Sequence, residues 1–270
     1  MVRKRFRARR VATVAQRAAT PALLVAVWEL LARGNLIDTR FIPSPTRVVT
    51  SWHLWIFGGR ASTIDPYVGT WLTHSTESVQ RVLIGFVIAT VLGVAIGTLI
   101  GRFEPVRTFL DPIIQLLRPI PTSAWVPFAV VFFGFRTSAS VFLIALGAFF
   151  PIVVNTTDGV RMVPRIYYRA AAMLGTPQYR VSWRVVLPAA LPSIFTGLRI
   201  GLGVAWVLVI VSEMIAVHSG LGYVLWDASY YARMDIIVAA MLSVAVLGFL
   251  SDLILVAIAN RLLRWHEGKL

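Results

Sequence analysis

Residues 79–100 read VQRVLIGFVIATVLGVAIGTLI. After Arg81 this stretch carries no charge, and its length is close to the ~20 residues that a helix rising 1.5 Å per residue needs to cross ~30 Å of hydrocarbon. Gly93 and Gly97 within it and Gly101 just after it recur every fourth residue, the spacing at which small residues let two helices approach closely in lipid. Further apolar runs lie at 21–31, 113–135, 138–154, 194–217 and 236–263. The run at 113–135 contains Pro119, Pro121 and Pro127. Proline is tolerated in a spanning helix where neighbouring helices re-satisfy the freed carbonyls, so a kinked helix facing protein is expected there.

Composition agrees. Hydrophobic residues make up 57% of the 270 and DEKR only 14%, and the mean hydropathy is +0.76. A soluble domain cannot hide so much apolar surface. The expectation is an all-α polytopic membrane protein with six transmembrane helices, or five if one run does not cross. Its parts are a basic N-terminus (1–17), a first span (18–33), a segment with an amphipathic helix (34–78), a core (79–263) containing a loop at 158–193, and a short tail (264–270).

The net charge of +14 raises the question of a nucleic-acid partner. The basic residues cluster at the chain ends and in the gaps between spans, with no basic stripe interleaved with aromatics, so topology explains them and nucleic acid is excluded. With six spans, seventeen basic residues fall on the side of the termini and six on the other. Positive-inside makes the first side cytoplasmic. A cleaved signal peptide is disfavoured because Glu29 interrupts the first apolar run and Arg33 closes it. In 34–78, Ser44-Pro45 starts a helix, Val48, Val49, Trp52, Trp55 and Ile56 mark one face, and Gly58-Gly59 ends it.

The loop at 158–193 reads as two short helices at a bend. Arg165 to Leu174 is helical and closed by Gly175. Thr176-Pro177 opens a second helix, which Val186-Leu187-Pro188 closes. Such an element suits docking onto another protein, or lying on lipid headgroups. Cysteine is absent, so there is no thiolate metal site or cysteine nucleophile. His53, His74, His218 and His266 are scattered, and neither a metal site nor a catalytic group is expected.

Arg169-Ala170-Ala171-Ala172-Met173-Leu174-Gly175, then nine residues, then Val185-Val186-Leu187-Pro188 resembles the EAA loop of ABC-importer permeases, E-A-A-x-x-x-G, nine residues, I-x-L-P. Arg169 stands where that family has glutamate. Phe41 to Pro45, His74 through Phe86, Leu110-Asp111-Pro112, Leu117 to Pro121, Asn155, Gly197-Leu198-Arg199, Glu213-Met214-Ile215, Gly220-Leu221-Gly222, Asp252 and Trp265 look like the nitrate/sulfonate/taurine/bicarbonate permeases. The resemblance covers roughly residues 40–266.

It implies a type I ABC importer permease in the bacterial plasma membrane, with both termini cytoplasmic. It also implies a second permease copy, forming a homodimer, two ABC ATPase subunits below, and an extracytoplasmic solute-binding protein above. Arg165, Arg169, Ala170, Ala171, Ala172, Leu174, Gly175 and Pro188 would dock the ATPase. The chain has no G-x-x-x-x-G-K-[ST], so ATP and Mg would be bound by the partner subunits and the chain itself is no enzyme. The expected cargo is a small anion such as a sulfonate, nitrate, taurine or bicarbonate, moved by alternating access.

Ionisable and polar residues within spans mark pathways by default. Arg118, Trp125, Asn155 and Glu213 are the candidates. Arg118 suits an oxyanion or snorkels to the interface, and Glu213 suits holding helices together or gating. A secondary transporter or channel is the alternative, and it would call for intramembrane relays or inverted repeats.

Overall fold

The computed structural model describes residues 19–34, 36–58 and 65–263. The basic N-terminus, Gly59, Arg60, Trp265 and the tail lie outside the described residues. Every helix or longer element among those described is helical: α1 (19–33), α2 (Pro45–Phe57), α3 (Trp71–Arg102), α4 (Glu104–Leu117), a 3-10 turn (Thr122–Trp125), α5 (Val126–Phe133), α6 (Thr137–Arg161), α7 (Arg165–Met173), α8 (Gln178–Val181), a π turn (Ser182–Val186), α9 (Leu187–Ala216), α10 (Leu221–Tyr230) and α11 (Met234–Leu262).

The helices α3, α6, α9 and α11 are long and apolar enough to cross a membrane, and a fifth crossing follows if α4 and the 122–133 segment act as one bent span. The first expected span is described only over 19–33, fifteen residues, short of a full crossing within that range.

Two expectations change. The third run is no single kinked helix, because α4 and residues 122–133 meet at 90° across a break at 118–121. Pro119 and Pro121 cannot donate to the carbonyls of Gln115 and Leu117, and Leu117 turns its carbonyl to the Ile120 amide instead (3.1 Å). Nor does Pro188 end the second short helix of the loop. The chain widens into the π turn and continues as α9 with Pro188 in its first turn, where the missing N–H costs nothing.

The chain clusters into two compact units, one running up to Leu72 and including Val224–Met241, the other made of Thr73–Tyr223 and the chain from Leu242. In the first, Ser44 caps α2 by accepting from the Arg47 amide, with Pro45 opening the helix and Gly58 ending it, as the sequence predicts. Of the expected α2 face, Val48 and Trp55 are buried while Val49 is exposed, and Trp55 donates to Thr70 Oγ1 (3.1 Å). Glu29, which Arg33 pairs at 2.6 Å, accepts from the Thr46 amide at 3.1 Å and so joins α1 to the positive end of α2.

In the second unit, glycines set the helix spacing. A Cβ on Gly85, Gly93, Gly97 or Gly101 of α3 would fall 2.6–2.7 Å from Ile144, Ile152, Thr156 or Val160 of α6. The partners are spaced as the glycines are, by eight, four and four residues, so the two helices meet along matching rows. α9 also presses on α6: a Cβ on Gly197 would fall 2.7 Å from Asn155, and one on Gly201 3.0 Å from Ile152. Gly203 touches nothing within 4 Å. Leu83, Val87, Val91 and Leu92 of α3, and Phe249, Leu253 and Ile254 of α11, are left exposed, as apolar side chains facing lipid or another apolar chain should be.

Candidate functional site

The α7 loop forms as the sequence predicts up to Gly175. Gly175 takes the left-handed conformation (φ 66°). Its amide bonds the Ala172 carbonyl and the Thr176 amide bonds the Ala171 carbonyl, both at 3.0 Å. These two bonds are the Schellman closure of a helix. Ala171 is buried, while Arg165, Arg169, Ala170, Ala172, Leu174 and Gly175 are exposed. Met173 and Leu174 are 88% and 83% exposed. Apolar side chains presented this openly beside small ones form a surface that another protein can cover. Arg169 makes no ion pair among the described residues. A cavity of about 610 Å³ lies between α7 and the start of α9, bordered by Tyr167, Arg184 and Pro188.

At the far end of the same helices lies a cluster of buried charge. Glu213 of α9 is fully buried and accepts from Arg81 Nη1 at 2.7 Å, from Ser78 Oγ within 2.8 Å of both its oxygens and from the Gly222 amide at 2.9 Å. Arg81 is also almost fully buried. It bridges to Glu77 one turn back (2.6 Å) and donates to the Ser219 carbonyl (2.8 Å) and hydroxyl (2.7 Å). Ser219 also bonds Glu77. Gly220, at φ 109°, passes so close that a Cβ there would sit 2.3 Å from the Glu213 carboxyl carbon. A side chain on that residue is therefore barred both sterically and by backbone conformation. The arrangement locks the 217–222 turn onto the beginning of α3.

The other candidates do not converge on one point. Arg118 caps α4 at the 90° break, its amide bonding the Ile114 carbonyl; it is exposed, and its side chain has no partner among the described residues. Trp125 is half-buried and meets Phe128 edge-on at 5.6 Å. Asn155 donates to the Pro151 carbonyl one turn back (2.8 Å) at the α6–α9 contact.

Sequence reasoning missed two pairings. One is Arg81 with Glu213, of which only the local Glu77–Arg81 spacing, four residues apart on one helix face, was a signal. The other is Arg199 of α9 with Asp252 of α11, a two-point pair at 2.7 and 2.8 Å. Arg199 is 51% and Asp252 29% exposed at the side chain. Both lie near the middle of spanning helices, where an exposed ion pair needs water or another protein surface beside it. Among the described residues no group of His, Cys, Asp or Glu could hold a metal ion.

Comparison with known proteins agrees with this fold. Residues 89–264 match the family described as binding-protein-dependent transport system inner membrane component, and the chain belongs to that family. It is 36% identical to the taurine transport system permease protein TauC of Escherichia coli (strain K12), over 92% of this chain and 88% of the relative. It is 32% identical to a putative aliphatic sulfonates transport permease protein, SsuC, of Bacillus subtilis (strain 168), over 92% and 86%. It is 34% identical to the nitrate import permease protein NrtB of Synechocystis, over 86% and 82%. In fold it is similar to a chain of the MetNI methionine ABC transporter solved in inward-facing conformations, with a TM-score of 0.62 and 20% identity, over 73% of this chain and 98% of that one. The chain is thus a transmembrane permease subunit of the ABC-importer type.

Proposed function

We propose that this permease carries a small oxyanion of the sulfonate, taurine or nitrate kind, with bicarbonate a further candidate. It works as a homodimer, receives its cargo from an extracytoplasmic binding protein, and is driven by two ATPase subunits that bind ATP and Mg. Both termini and the α7 loop face the cytoplasm, and six spans cross the bilayer. The observation that carries the reading is α7 itself: a short helix closed by the Gly175 turn, with its Ala170, Ala172, Met173 and Leu174 open to a partner. The names of the relatives support the cargo class, all of them acids or anions of modest size. Glu213, saturated by Arg81, Ser78 and Gly222, acts as a clamp on the 217–222 turn and touches no cargo. Arg118, whose exposed guanidinium has no acidic partner among the described residues, is the group that would meet an oxyanion, because guanidinium donors match its oxygens in pairs. Trp125 and Asn155 are the further pathway candidates.

The test is affinity isolation of the tagged chain from detergent-solubilised native membranes, with mass spectrometry of what comes with it. A Walker-A ATPase is expected, in stoichiometry with the permease, and a co-isolated binding protein would identify the cargo. A chain that purifies as a stable oligomer without an ATPase would overturn the reading in favour of a channel or secondary transporter.

A further inference from the structure

On the outer face of α3, away from α6, runs a groove of about 570 Å³ between Thr90–Phe103 and the segment containing Tyr179, Trp183 and Leu187. Its walls are apolar along Val91, Val94 and Leu99 and become polar at one end, at Arg102. No carboxylate among the described residues pairs with Arg102, and its buried Nε has no hydrogen-bond partner. Its guanidinium lies over the Tyr168 ring of α7 at 4.6 Å. The nearest acid in sequence, Glu104, is turned to Arg107 (3.2 Å). A second cation stands near the mouth, where Arg180 Nε bonds the hydroxyl of the lining residue Tyr179 at 3.1 Å.

The dimensions match one leaflet. From Thr90 to Leu99 the groove follows α3 for about 14 Å at 1.5 Å per residue, against about 15 Å for half of a ~30 Å hydrocarbon core. A bare arginine at the boundary of such a slot is costly without a counter-charge. A phosphate oxygen pair is the acceptor that best fits the paired donors of a guanidinium fork, and basic pockets between helices on the cytoplasmic side suit anionic headgroups.

We infer that this groove is a binding site for one anionic phospholipid of the inner leaflet, with an acyl chain along Val91–Leu99 and Trp183 and the headgroup phosphate on Arg102. The inference goes beyond the transport reading and uses only its assignment of the α7 side as cytoplasmic. Because Arg102 rests on Tyr168, the headgroup abuts α7.

The test is native mass spectrometry of the full delipidated chain supplied with dioleoyl phosphatidylglycerol or dioleoyl phosphatidylcholine, which differ only in the headgroup. Phosphatidylglycerol is expected to bind about fivefold more, the worth of one basic contact near the surface. Arg102→Gln should erase that preference while leaving acyl-chain binding, and Val94→Trp, which fills the slot, should reduce both lipids. Equal binding of the two lipids by the unaltered chain would overturn the proposal. So would a preference that survives Val94→Trp, the arm that decides if Arg102→Gln does not fold. Displacement of the lipid by millimolar inorganic phosphate would reassign Arg102 to a free anion. Since the chain has no cysteine, Thr98→Cys reports on the remaining occupant: a disulfide-linked dimer formed in membranes would mean that a second copy covers the groove.

Discussion

Replacing Arg81 with glutamine should damage this protein more than replacing Glu213 with glutamine, although the two form one ion pair. Their side chains are 4% and 0% exposed. Removing one member of a buried pair strands the other, at about 3–5 kcal/mol. The partners are not equally exposed to that loss. Among the described residues Glu213 has no second cation, and without Arg81 it keeps Ser78 and the Gly222 amide. Arg81 without Glu213 still has Glu77 at 2.6 Å and both oxygens of Ser219. Its loss is nearer that of one charge-assisted hydrogen bond, about 1.5–3 kcal/mol. The expected gap of about 2 kcal/mol corresponds to roughly a thirtyfold difference in folded-to-unfolded ratio. The double variant should lose less than the sum of the singles, by about 0.5–3 kcal/mol, since neither residue is then stranded. The assay is the half-life of the monodisperse peak of the detergent-solubilised chain at a series of temperatures, which suits a protein whose unfolding is irreversible. Glu213→Gln proving as harmful as Arg81→Gln, or strict additivity in the double variant, would refute the reasoning.

Gly97→Ala should destabilise the bundle by about 1–3 kcal/mol through overpacking, because its Cβ would lie 2.7 Å from Thr156 and from the Val153 carbonyl. Gly203→Ala, with nothing within 4 Å, should instead gain up to about 1 kcal/mol of helix propensity; the same thermal assay compares them, and equal effects would count against the α3–α6 packing described. Gly175→Val meets open space but a positive φ, so the fold should survive a local strain of about 1–2 kcal/mol while co-purification of the ATPase falls; undiminished recovery of the ATPase speaks against docking there. In the first unit, burial and the Asp227 carboxylate, which accepts from the phenol at 2.7 Å, hold the Tyr67 phenol above its ordinary range. The unfolded chain therefore ionises this tyrosine first, so its contribution is intact below pH ~10 and is lost as pH rises beyond it. Thermal stability measured from pH 8 to 11 should fall less steeply in Tyr67→Phe than in the unaltered chain, and identical slopes would remove Tyr67 from the account.

Much of this molecule is written within short windows of its sequence. The long helices follow from apolar runs, since a segment that cannot hydrogen-bond to lipid must satisfy its own backbone. The start of α2 at Ser44-Pro45 and the Gly175 closure of α7 follow from capping chemistry that acts over a few residues. The EAA-like spacing carried the family, because it records a local helix–turn–helix. Prolines were read less well: Pro119 and Pro121 break the chain by 90° where a kink was expected, and Pro188 sits harmlessly in a first turn where an end was expected. A proline removes a donor wherever it falls, but whether the freed carbonyl finds a partner depends on what packs beside it. Tertiary structure alone decided which charges meet. Arg81 and Glu213 are 132 residues apart, Arg199 and Asp252 are 53 apart, and Arg102 lies over Tyr168 with no acid partner among the described residues. Periodicity says that a residue is on a helix face; only the rotation of each helix about its axis, set here by glycine rows pressed against Ile144, Ile152 and Thr156, says what that face meets.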